Sequence, residues 1–110
     1  MVNLENTKAQ MRKGVLEFCT LSIIAKGQIY PSDSIAHLRN SQMMVVEGTL
    51  YPLLTRLKNA GLITYIWVES NAGPPRKYFT ITDQGQAFLK ELEATWRDLV
   101  SSVNNTINHS

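Results

Sequence analysis

A mainly α-helical chain with one small β-hairpin is the architecture the sequence predicts, and three observations predict it. Leu50, Leu53, Leu54 and Leu57 recur at helical spacing within residues 47–59, which makes a short amphipathic helix. Residues 63–70 and 77–81 are rich in β-branched and aromatic types with alternating character, and Asn71-Ala72-Gly73-Pro74-Pro75 between them is a turn. Phe88, Leu92, Trp96, Leu99 and Val103 recur at steps of four, four, three and four, close to the repeat of a helix-on-helix seam. A polar, basic helix beside a basic hairpin is the layout of a winged helix-turn-helix. Residues 1–81 therefore read as a DNA-binding unit that includes the N-terminal helix, and residues 82–110 as a C-terminal dimerisation helix.

Taken in order, residues 1–9 read as frayed or loosely helical. A first helix is predicted over Gln10 to Lys26, where Val15, Leu16, Phe18, Cys19, Leu21, Ile23 and Ile24 make it apolar nearly all round. Such a helix needs more than one packing partner, and a second subunit can supply one. Tyr30-Pro31-Ser32-Asp33 is a turn and helix start, with Ser32 or Asp33 able to cap exposed amides. Ile35 and Leu38 supply the inner face of a short second helix ending near Asn40, and residues 41–46 lead into the third. That third helix is predicted over Glu47 to Asn59, with Gly61 placed for a left-handed helix end. Pro52 lacks an amide donor and crowds the carbonyl of Gly48, an effect limited by its place in the first turns. Thr82 caps the last helix and Asp83 suits its positive end. Residues 104–110 are expected to fray.

The chain has 110 residues, 44% of them hydrophobic and 18% charged, which fits one soluble globular domain. No stretch approaches the roughly 20 apolar residues that span a bilayer, and the polar start lacks a signal-peptide layout. The single cysteine, Cys19, excludes an internal disulfide framework and fits a reducing cytoplasm, so the expected location is cytoplasmic. Net charge is only +2, but its placement is uneven. Residues 1–81 hold nine basic and five acidic side chains, against two and four in residues 82–110. The basic excess thus falls on the predicted DNA-binding part, where phosphate neutralisation would release counterions.

Enzyme chemistry finds no footing. His37 has no ligand at metal-binding spacing, His109 lies in the tail, and no nucleophile elbow or phosphate-binding glycine loop occurs. Cys19 sits among apolar neighbours without a nearby base and reads as a buried structural thiol. No catalytic residue, metal or cofactor is expected. The third helix is the candidate for base reading, since an α-helix fits the major groove of B-form DNA. Thr49 and Thr55 can donate or accept there, Arg56 can reach phosphate or guanine, Tyr51 can offer its hydroxyl or ring, and Lys58 adds charge. On the hairpin, Arg76 and Lys77 alternate across the strand. The hairpin is expected to carry phosphate or minor-groove contacts, and Arg76, beside the rigid prolines, is the better candidate for the minor groove. Trp67 and Trp96 are possible effector features, Trp96 by forming a flat aromatic slot where two last helices meet.

The Gly48–Pro52 run G-T-L-Y-P, the R-L-x-x-x-G-L-I of Arg56 to Ile63, and the G-P-P-R-K-Y of Gly73 to Tyr78 resemble the PadR family of transcriptional regulators. The likeness runs from about Met11 to Leu99 and is closest to the short PadR-like group with a single C-terminal helix. It implies a homodimeric, DNA-binding repressor on an inverted-repeat operator, often relieved by small aromatic or hydrophobic compounds. It also implies Tyr30 as a further DNA contact, a dimer interface of Val15, Phe18, Phe88, Leu92, Trp96, Leu99 and Val103, and Trp96 as a candidate contact for a small planar hydrophobic ligand. Three positions depart from the family pattern. Pro31 replaces the usual small residue, Val46 replaces a Ser or Thr cap, and Glu47 replaces the usual proline. The competing expectation is a winged-helix protein–protein interaction module, which steep salt dependence of DNA binding would separate from a true operator complex.

Overall fold

The computed structural model of the chain describes residues 2–27, 36, 38, 43, 47–70 and 73–108, with only the backbone of Glu47 and Ser70. Among these residues three helices and one hairpin follow in order: α1 (Leu4–Ile24), α2 (Glu47–Asn59), β1 (Ile63–Ser70), β2 (Gly73–Ile81) and α3 (Asp83–Ile107). The fold is mainly helical with a two-stranded antiparallel wing, a winged helix. The short second helix read over residues 32–40 lies for the most part outside the described residues. Within it, Ala36 and Leu38 are helical and Leu38 is buried.

The core gathers one face from each element. Leu16, Leu21, Ile23 and Ile24 come from α1, Leu50, Leu53, Leu54 and Leu57 from α2, and Ile63, Phe79 and Leu89 close it from the wing and α3. A helix of 13 residues is marginal alone. Burying its four leucines, roughly 2 kcal/mol each, is what holds α2 in place. The helix runs through Pro52.

Three boundaries differ from the sequence reading by more than two residues. The first helix begins at Leu4, not Gln10, because Asn3 caps it: its Oδ1 accepts from the Glu5 amide at 2.8 Å and the Asn6 amide at 3.4 Å. The return strand begins at Gly73, not Lys77, so Pro74 and Pro75 lie inside β2. A two-stranded ribbon leaves one edge of each strand unbonded, which tolerates missing amide donors. The register also shifts there, between Val68 and Ser70. The last helix continues to Ile107 instead of fraying from Asn104, with Asn108 N–H donating to the Asn104 carbonyl.

One joint connects α2, the wing and α3. Gly61 ends α2 at φ +80°, in the left-handed region predicted for it. Thr82 then donates its hydroxyl to the Gly61 carbonyl at 2.7 Å and its amide to the Leu62 carbonyl at 3.1 Å. The same hydroxyl accepts from the Gly85 amide at 2.9 Å, capping α3. Gly85 is buried against this turn. A Cβ there would collide with the Leu62 carbonyl oxygen and lie 2.7 Å from Ile81 Cγ1. The start of α3 is therefore clamped directly to the end of α2.

Candidate nucleic-acid interface

The four buried leucines fix which way α2 faces. At roughly 100° per residue, Gly48, Pro52, Thr55 and Asn59 form the ridge farthest from the core, and all four are exposed. Tyr51 and Lys58 occupy the flank toward the wing, Thr49 and Arg56 the flank toward α1. Thr55 spends its proton on the Tyr51 carbonyl at 3.1 Å, so its oxygen remains available as an acceptor.

On the wing, strand alternation separates the two basic residues as the sequence implied. In register, Trp67 faces Lys77 and Tyr65 faces Phe79, which places these four on one side of the ribbon. Val68 faces Arg76 on the other side, where Arg76 is exposed. Lys77 folds back so that its Nζ lies 3.7 Å from the centroid of the Tyr65 ring. Lys58 reaches the same ring from α2 at 5.0 Å. The ring is held edge-on by Phe79, 5.9 Å away at 84°. Each ammonium over a ring gains about 0.5–1 kcal/mol at an exposed site. Tyr65 thereby gathers one cation from the helix and one from the wing, concentrating positive charge where a phosphate backbone could pass between them.

Arg56 is placed differently. Its Nη2 donates to Glu17 Oε2 on α1 at 2.8 Å, with the Arg56 side chain two-thirds exposed. The candidate contacts thus form two groups, Lys58 and Lys77 at Tyr65, and Thr49 and Arg56 beside α1, with Tyr51 and Thr55 between. Tyr30 lies outside the described residues, as does His37. Sequence reasoning missed both Glu17 and Tyr65. Glu17 stands 39 residues from its partner and has no local signal. Tyr65 reads simply as a strand aromatic until the register puts Lys77 diagonally across from it.

At the opposite side, α1 and α3 form an apolar groove of about 540 Å³, lined by Met11, Arg12, Val15, Trp96, Leu99 and Val103 among others. Phe18 lies 6.5 Å from the Trp96 ring, tilted by 42°. Phe88 and Leu92 are half-buried against the chain's own core. Trp96, Leu99 and Val103 are 42%, 50% and 45% exposed. Trp67 is exposed on the wing, away from this groove. Burial raises the Cys19 thiol above its usual pKa, which disfavours the reactive thiolate. Among the described residues no cluster of His, Cys, Asp and Glu could hold a metal ion, and no helix is long and apolar enough to cross a membrane.

Residues 20–91 match the model of the transcriptional regulator PadR-like family. The chain is 54% identical to a PadR-like transcription factor from Bacteroides fragilis of solved structure, over 92% of this chain and 98% of that one, with a TM-score of 0.75. A PadR-like transcriptional regulator from Bacillus cereus is 37% identical over 92% and 99% of the two chains, at a TM-score of 0.80. A PadR family transcriptional regulator from Eggerthella lenta, 29% identical over 97% and 94%, superposes at a TM-score of 0.88.

Proposed function

As a member of the PadR-like family of transcriptional regulators the chain is a DNA-binding regulator, and we propose that it acts as a homodimeric repressor on an inverted-repeat operator. The observation that carries this reading is the division of the surface. One side presents the exposed ridge of α2 beside a basic wing, and the other an uncovered apolar groove. An exposed apolar patch rimmed by polar residues marks an association site, and Arg12 and Asn104 stand at this one. Pairing two copies through α1 and α3 lets two recognition helices meet successive major-groove turns, about 34–36 Å apart.

In this reading Tyr51, Thr55 and Arg56 read or flank bases, Thr49 supports them, Lys58 and Lys77 engage phosphate, and Arg76 approaches the minor groove. The Trp96 groove receives a planar hydrophobic effector. Stacking on the indole face favours an aromatic or cationic compound. Effector and DNA then prefer different dimers, so each weakens the other by the same factor. The test pairs mass with affinity. Light scattering should give two chains at micromolar concentration, and Arg56→Ala and Arg76→Ala should each cost about 1–3 kcal/mol in operator binding. A one-chain mass, or unchanged affinity in both variants, defeats the reading.

A further inference from the structure

We propose that Glu17, on α1 and outside the DNA-facing surface, sets the DNA specificity of the chain by holding Arg56 in the free protein. This rests on the DNA-binding reading of α2. The geometry that carries it is the bond from Arg56 Nη2 to Glu17 Oε2 at 2.8 Å, which crosses from the recognition helix to α1. Both residues line a cleft together with Lys13, Gly14, Thr49 and Pro52. Gly14, one turn before Glu17, carries no side chain and leaves open space on that side of α1. Along this cleft Lys13 stands one turn before Glu17 on α1, and Arg56 is bonded to the Glu17 carboxylate from α2.

The consequence follows from charge. A phosphate oxygen offers Arg56 the same kind of charge-assisted bond that Glu17 already supplies, so exchanging one for the other gains little. Binding to arbitrary sequence is almost wholly electrostatic. It therefore loses most of what Arg56 would contribute. At an operator, Arg56 can gain the bidentate geometry of a guanine edge, which a single carboxylate oxygen does not match. Glu17 thus lowers affinity for random DNA more than for the operator. It acts as a positioning residue, through Arg56 and without touching DNA.

The experiment compares wild type, Glu17→Gln, Arg56→Ala and the double variant. Affinities are measured for an operator duplex selected from a random-sequence pool and for a scrambled duplex of equal length, across a salt series. Glu17→Gln should raise scrambled-duplex affinity about tenfold and operator affinity by much less. Its salt slope on the scrambled duplex should steepen by about one, as for one more phosphate neutralised. In the Arg56→Ala background the Glu17→Gln effect should largely vanish, since the pair acts as a unit. Circular dichroism should show an unchanged fold. Unchanged or reduced scrambled-duplex affinity overturns the proposal, and so does an equal gain in the Arg56→Ala background, which would mean long-range charge alone. A wild-type chain without preference for any selected duplex fails the DNA-binding reading itself, before the variants are compared.

Discussion

The two halves of α3 carry one continuous apolar repeat and have opposite fates. In the first half Gly85 and Leu89 are buried and Phe88 and Leu92 pack on the chain's own core. In the second, Trp96, Leu99, Val103 and Ile107 are between 42% and 72% exposed. The same spacing therefore has two outcomes, docking the helix to its own chain in one half and leaving an apolar face exposed in the other. Spacing shows which face of a helix is apolar and says nothing of what covers it.

Substitutions can test this division. The largest effect should come from Gly85→Ala, since the added methyl collides with the Leu62 carbonyl and backbone must move. We expect a loss on the order of 4 kcal/mol or more in chemical denaturation, and a near-neutral result would mean that the joint is soft. Next is the contrast between the halves. Leu89→Ala should cost about 3 kcal/mol at any protein concentration. Replacing Leu99 and Val103 together by Glu should leave the monomer's own fold within about 0.5 kcal/mol. That variant should scatter light as one chain and lose the rise of unfolding midpoint with concentration that a dimer shows. A concentration-dependent midpoint that survives in the double variant would place the association surface elsewhere. Leu92 is a poor choice for such a test, because a charge there strikes the chain's own core.

The smallest effect concerns Thr20, whose hydroxyl is buried on α1 with no hydrogen-bond partner among the described residues. Thr20→Val keeps the shape and removes the unsatisfied group, so stability should rise by about 1 kcal/mol. A loss of stability would reveal a partner for the hydroxyl.

How much of this was legible in the sequence varies with the range of the interaction. Leu50 to Leu57 declared α2 through local periodicity, and its bounds matched, as did Gly61 and the Thr82 cap. The start at Leu4 was also local, written in the Asn3 cap and Glu5 of the first turn, but the polar composition of residues 1–9 masked it. Pro74 and Pro75 misled because a proline forbids a central strand and permits a ribbon edge, and which of the two obtains is decided by the partner. The candidate contacts could be named from the sequence as basic and hydroxyl side chains, but their arrangement could not. That Arg56 leans on Glu17 while Lys58 leans on Tyr65 depends on which elements the core brings side by side. Neither contact leaves a trace in residue spacing.

The clamp of Thr82 and Gly85 on Leu62 makes the molecule a geared lever. The rod is α3, whose 25 residues extend about 37 Å. Its fulcrum is the turn that also terminates α2, so the rod and α2 meet at one joint. A swing of about 5° moves the far tip of such a rod by about 3 Å, given a rise of 1.5 Å per residue. With no room for a methyl at Gly85, that fulcrum is close-packed, and a swing of the rod bears on the turn that ends α2. Whatever holds the tip near Val103 and Ile107 acts on that joint through its longest arm.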